Sequence, residues 1–213
     1  MLVGERMSHP VITIIPEMPI VDALNLMKRE RIRRAPVIKD GHLIGIVSDK
    51  DLLNASPSPV TSLSVWEMNY LLSKITVKEV MTKKVISVQE HTPIEEAARI
   101  MVDNKIGGLP VMRDGELVGI ITETDLFKIF LELMGAREFG VRVTALIYEE
   151  RGQLARLAGT IANAGGNFIA FGQFSGTTPN NRLISFKVTG LEENQVKDLT
   201  IPLIEQLVDI RSC

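Results

Sequence analysis

Two hydrophobic periods alternate along this chain, and the switches between them mark its elements. Apolar Val11 to Ile15 forms a short β-rich run that ends at Pro16 and Pro19. From Ile20 to Arg31 the apolar residues Ile20, Ala23, Leu24 and Met27 recur at helical spacing, which predicts an amphipathic helix with a charged outer face. Ala35 to Ile38 and Leu43 to Val47 then read as strands joined through Asp40-Gly41, a pair suited to a tight hairpin whose central residues need positive φ. A second helix begins after Ser48. The unit is β-α-β-β-α.

The same plan returns 74 residues later. Met7 to Leu52 aligns without a gap on Met81 to Leu126, with 17 of 46 paired positions identical, and this internal repeat governs how the rest is read. The second copy offers strand Val85 to Val88, helix Pro93 to Asn104, strands Leu109 to Met112 and Leu117 to Ile121 around Asp114-Gly115, and a helix from about Thr122 to Met134. Between the copies, Asn54 to Lys74 holds a Ser/Pro-rich breaker and a short helix bearing Trp66, the only tryptophan. Units of roughly 50 residues bury too little surface to stand alone, so the copies are expected to pack as a pseudo-symmetric pair with clefts between them.

After Gly135 the pattern changes. Val141 to Ile147 alternates as a strand, and Gly152 to Ala164 forms a helix with Leu154, Leu157, Ala158 and Ile161 on one face. Phe168 to Phe174 and Arg182 to Val188 make a hairpin, Gln195 to Leu207 a helix interrupted by Pro202, and Val208 to Arg211 a last strand. This order, β-α-β-β-α-β, is the ferredoxin-like plan. The fold class is α/β (α+β), with repeats at 1–60 and 76–135, a linker at 61–75 and a third domain at 139–213.

Composition narrows the function. With 45% hydrophobic residues, a net charge of −2 and a pI near 6.0, the 213-residue chain has the balance of a folded globular protein without the basic excess that nucleic acid or anionic membrane would require. No apolar run reaches membrane-span length and no secretory core opens the chain, so a cytoplasmic location is expected. Cys213 is the sole cysteine, which leaves no disulfide framework. The histidines His9, His42 and His91 lack a companion nucleophile or metal-ligand spacing. No phosphate-loop, nucleophile-elbow or dinucleotide fingerprint is present, so no catalysis, metal or required cofactor is expected.

The chemistry sits at GIVSDKDL (45–52) and GIITETDL (119–126). Ser48 with Asp51, and Thr122 with Asp125, fit a capping box at a helix start. The same arrangement suits a nucleotide: free helix N–H groups and a hydroxyl for phosphate, a carboxylate for ribose hydroxyls. Both readings fit the spacing alone.

The wider pattern separates them. Each repeat resembles a CBS domain, through the Met7 and Met81 starts, the strands VITI and VISV, the apolar helix, and the segments APVIKDGHLIGIVSDKDL and LPVMRDGELVGIITETDL. The pair resembles the tandem called a Bateman module, over about residues 1–135. That resemblance implies an adenosine-containing ligand such as AMP, ADP, ATP or S-adenosylmethionine in the clefts. It assigns Ser48 and Asp51, with Thr122 and Asp125, to phosphate and ribose, and Lys50 between the first two is a further candidate for the nucleotide. It assigns the backbone of Arg34-Ala35-Pro36 and Gly108-Leu109-Pro110 to the ring, and Thr13 and Ser87 to first-strand contacts. Arg33 and Arg34 stand where the second copy has Gly107 and Gly108, so the first site is expected to prefer phosphate. Taken as a run, Lys28 to Arg34 also fits a solvated basic helix end.

The segment from Tyr148 to Leu154, followed by GGNFIAF, resembles an ACT domain over about residues 139–213. That implies amino-acid binding through Gly152, Leu154, Asn167 and Ile169, or pairing with the sheet of another copy as a homodimer. The Asp and Pro usual in the first ACT loop are replaced by Glu149 or Glu150 and Arg151. The domain order is similar to that of acetoin-utilisation accessory proteins, which implies a regulated enzyme partner. The expected function is a non-enzymatic sensor of an adenine nucleotide, with a ligand-free dimerisation scaffold or an S-adenosylmethionine sensor as the alternatives.

Overall fold

The structure, a computed structural model, describes residues 1–55 and 74–213, so the Trp66 helix expected in the linker falls outside the described residues. The chain divides into two compact units, Met1–Leu126 and Phe127–Cys213.

In the first unit the order is α1 (Val3–Arg6), α2 (Ile20–Arg29), β1 (Arg34–Lys39), β2 (His42–Ser48) and α3 (Asp49–Asn54). The second repeat follows as α4 (Val77–Val80), β3 (Val88–Gln89), α5 (Ile94–Asn104), β4 (Gly108–Arg113), β5 (Glu116–Thr122) and α6 (Glu123–Leu133). Both hairpins are antiparallel and turn where expected: Asp40 and Gly41 have φ of 51° and 80°, Asp114 and Gly115 of 50° and 87°. Two consecutive positive values define the tight turn that matches strand twist. The strand expected at Val11 to Ile15 shrinks to one parallel bridge, Ile14 with Val37, held by Ile14 N–H to Pro36 O (3.0 Å) and Ile38 N–H to Ile14 O (2.9 Å). Its counterpart β3 pairs with β4 over two residues.

Each repeat's core is completed by the leading segment of the other. Val77, from the segment before Met81, is fully buried with Ile14, Ile20, Met27, Val37 and Leu52 of the first repeat. Val3 is fully buried with Val88, Met101, Leu109 and Ile121 of the second. Backbone bridges follow the exchange: Ser8 pairs with Ile120, and Thr82 with Ile46. The repeats are thus one folding unit, since removing either leading segment would strip apolar area from the other's core.

The second unit begins inside α6 and continues as β6 (Val141–Tyr148), α7 (Gln153–Asn163), β7 (Asn167–Ser175), β8 (Asn181–Thr189), α8 (Glu193–Thr200) and β9 (Gln206–Ser212), with Pro202 in a 3₁₀ turn after α8. Its sheet runs β7-β8-β6-β9 with every pairing antiparallel. The core gathers Val143, Ile184, Phe186 and Val196 with Leu157 and Ile161 of α7. Leu154 and Ala158, expected on the same face of that helix, are exposed, and Gln153 takes the inward place by donating to Leu203 O. Residues 153, 157 and 161 form one i, i+4 row, so the buried stripe is rotated by one residue from the expected one. The unit starts ahead of the expected boundary because Lys187, 4% exposed, donates through Nζ to Glu138 O (2.6 Å) and Gly135 O (3.2 Å).

Candidate functional site

The junction of β2 and α3 is a closed capping box. Ser48 N–H and Oγ both donate to Asp51 Oδ2, at 2.9 and 2.7 Å, and Asp51 N–H donates back to Ser48 Oγ at 3.2 Å. Asp49 N–H reaches Arg33 O at 2.9 Å and Lys50 N–H reaches Asp49 Oδ1 at 2.8 Å. The first three N–H groups of α3 are therefore already engaged. The cap satisfies these groups from within the chain. Asp51 Oδ1 is not used by these bonds.

Around this junction lies a cleft of about 440 Å³, within the range of small-molecule sites. Both repeats line it. Ile46 from β2 and Val85, Ile86 and Ile106 from the second repeat supply apolar wall, and Gly107 and Gly108 supply bare backbone. Arg33, Arg34 and Lys50 come from the first repeat, Lys84 and Lys105 from the second, against the carboxylates of Asp49 and Asp51. Five cations facing two acids make this cleft positive in a chain whose net charge is −2, and such a surface attracts an anion. Lys105 reaches it because it ends α5 in the left-handed conformation, φ 54°, turning the chain into β4.

Arg34 is half-buried. Burial lowers its guanidinium pKa from the ordinary value, while the charges of Glu123, Asp49 and Asp51 oppose the shift. An arginine in this state stays protonated and keeps its planar set of donors.

The second junction repeats two of these bonds and differs in exposure. Thr122 N–H and Oγ1 donate to Asp125 Oδ2 at 3.0 and 2.7 Å, and Ser8 Oγ makes a long 3.5 Å contact with Oδ1. Asp125 is 5% exposed, whereas Asp51 is half-buried. Of the other expected site residues, Thr13 and Ser87 are exposed and absent from the cleft lining, where Ile86 stands instead of Ser87. Ala35 and Pro36 are buried within β1 and Leu109 and Pro110 within β4, and Pro36 O is taken by Ile14 N–H. The structure thus gathers Arg33, Arg34, Ser48, Lys50, Asp51 and Gly108, and adds Lys84 and Lys105, which repeat alignment alone did not single out.

In the second unit a hollow of about 340 Å³ is lined by Gly152, Leu154, Tyr148, Gln173 and Arg182, with Arg182 Nε bonded to Glu149. Gly152 caps α7 at φ 81°, in the left-handed region that favours glycine. Asn167 and Ile169 lie on β7 outside this lining. Among the described residues no group of three or more His, Cys, Asp or Glu could hold a metal ion, and no helix is long and apolar enough to cross a membrane.

The two matching halves of the first unit agree with a known domain: the CBS domain family matches residues 3–58 and 77–132, more than half of the chain. The chain belongs to the CBS domain family. Its first unit is a tandem CBS pair. The uncharacterized protein MJ1426 of Methanocaldococcus jannaschii is 34% identical over 152 residues, covering 60% of this chain and 90% of that protein. Among solved structures, a candidate acetoin utilization protein (AcuB) from Vibrio cholerae is 33% identical with a TM-score of 0.53, covering 65% of this chain and 96% of that one. The CBS domain pair of protein MJ0100, solved with methylthioadenosine and S-adenosyl-L-methionine, is 28% identical with a TM-score of 0.52, covering 65% of this chain and 98% of that one.

Proposed function

We propose that this protein is a non-enzymatic sensor whose CBS pair holds a phosphorylated adenosine nucleotide, AMP, ADP or ATP, in the cleft around Ser48 and Asp51. The observation that carries the reading is the convergence of five cations from both repeats on a cleft that also offers a partly exposed carboxylate and apolar wall. Phosphate falls to the side chains of Arg33, Arg34, Lys50, Lys84 and Lys105, since the helix N–H groups are engaged. Asp51 accepts from ribose hydroxyls through Oδ1, and Ile46, Val85, Ile86 and Ile106 face the adenine. Because the ligand touches both repeats, its occupancy biases their arrangement, which is what a sensor requires.

S-adenosylmethionine, bound by the CBS pair of MJ0100, is the second reading. Its sulfonium gains nothing from a cleft with this cation excess, so the nucleotide is preferred here. The second unit is read as an ACT-like, ferredoxin-like domain that pairs two copies of the chain or senses an amino acid at the hollow beside Gly152. Control of an enzyme partner in the cytoplasm, in acetoin use, fits the likeness to the Vibrio cholerae protein.

Calorimetry on the whole chain with adenosine, AMP, ADP, ATP and S-adenosylmethionine tests the reading. Saturable heat with the nucleotides that is lost in Asp51→Ala supports it; no heat with any of them would sink it and leave a ligand-free scaffold.

A further inference from the structure

The two repeats differ most sharply where Arg33 and Arg34 face Gly107 and Gly108, and the structure puts the difference to use. The Arg34 side chain runs across both glycines. A β-carbon on Gly108 would stand 2.9 Å from Arg34 Cδ, and one on Gly107 would overlap Arg34 Nη2. The same point on Gly107 is 2.6 Å from Glu123 Oε2, so guanidinium and carboxylate converge over that glycine. Glu123 opens α6 and is held there by its own N–H to Gly107 O, at 3.2 Å. Arg34 nevertheless remains on the wall of the first cleft.

We infer that Glu123 of the second repeat competes with ligand phosphate for the Arg34 guanidinium and so sets how tightly the first cleft holds a phosphorylated nucleotide. The inference rests on the nucleotide reading of that cleft. Without ligand, the Glu123 carboxylate lies near the guanidinium over Gly107, and Asp49 and Asp51 line the same cleft as Arg34. Glu123 is exposed, so its hold on Arg34 is a weak, solvent-screened attraction. Phosphate offers the guanidinium paired, charge-assisted hydrogen bonds, which are the stronger interaction. Phosphate therefore wins, but each binding event must first overcome the competing carboxylate. Glycine at 107 and 108 leaves the room for this contest: a β-carbon at 107 would meet the guanidinium and the carboxylate alike, and one at 108 would meet Arg34 Cδ.

The test is a double-mutant cycle on the whole chain, with ADP and adenosine as probes in calorimetry. Glu123→Gln is expected to raise ADP affinity about two- to fivefold, the range of an exposed ion pair. Adenosine, which has no phosphate, should bind unchanged. In the Arg34→Ala background, Glu123→Gln should no longer alter ADP affinity. An unchanged ADP affinity in Glu123→Gln, or a gain that persists without Arg34, would overturn the inference while leaving the nucleotide site standing. Failure of the unmodified protein to bind either probe would instead remove the site itself, and this inference with it.

Discussion

The thioether of Met81 lies against the bare α-carbon of Gly45, and a β-carbon there would sit 2.5 Å from its sulfur and 3.2 Å from Thr82 O. Met7 meets Gly119 in the same way. These contacts explain two signatures of the repeat, the leading Met and the Gly of GIVSD and GIITE, as halves of one exchange between copies. Gly45→Ala or Gly119→Ala should destabilise the protein by about 1–3 kcal/mol through overpacking, measured by urea denaturation. An unchanged midpoint would show that the methionine relaxes freely.

Asp51 and Asp125 accept the same pair of bonds, from Ser48 and from Thr122, but differ in access. Asp51→Ala should abolish or greatly weaken nucleotide binding. Asp125→Ala should leave binding nearly intact and cost about 1–3 kcal/mol of stability, because Thr122 and its backbone N–H lose a buried acceptor. Titration and denaturation of both variants check this, and the reverse ranking in binding would show that the second cleft is the working one.

Charge should decide among adenosine ligands. Affinity is expected to rise from adenosine to AMP to ADP, with S-adenosylmethionine weaker than ADP, and the ADP affinity should fall as salt screens the cleft cations. Equal affinity for adenosine and ADP at low salt would contradict the role given to Lys84 and Lys105.

Lys187 is a buried cation with two carbonyl acceptors, Gly135 O and Glu138 O. Lys187→Met keeps much of the side-chain volume and leaves Glu138 O without its donor, while Gly135 O keeps only the Glu138 N–H at 3.2 Å. A loss of about 1–3 kcal/mol is expected, seen as a lower unfolding midpoint. No change would mean that solvent replaces the lysine.

Acid should weaken the second unit through Asp209. Hydrogen bonds from Arg211 and then Arg142 hold its carboxyl below the ordinary carboxylate range. The unfolded chain therefore binds the proton first, so the contribution is present above the ordinary aspartate range and is lost as pH falls through the lowered native value. Asp209→Asn should flatten the pH dependence of stability in that window, measured by denaturation between about pH 2 and 6. An identical pH profile would remove Asp209 from acid sensitivity.

Much of the architecture could be read directly from local pattern. The Asp40-Gly41 and Asp114-Gly115 turns, the helix faces of Ile20, Ala23 and Met27, and the caps at Ser48 and Thr122 depend on residues within a few positions of one another, so the residues themselves determine them. What lay beyond reach involves partners in different repeats, such as Arg34 and Glu123, 89 residues apart. The exchange of Val3 and Val77 between cores depends on how two similar hydrophobic surfaces share their leading segments, and spacing does not specify which copy a segment covers. The arrival of Lys84 and Lys105 beside Arg33 and Asp51, and of Glu123 beside Arg34, follows only once the repeats meet. The caps illustrate the division most clearly. Their residues determine a helix start and two of its acceptors, Ser48 Oγ and Asp49 Oδ1, whereas the third, Arg33 O, and the cations from both repeats come together only in the packed chain.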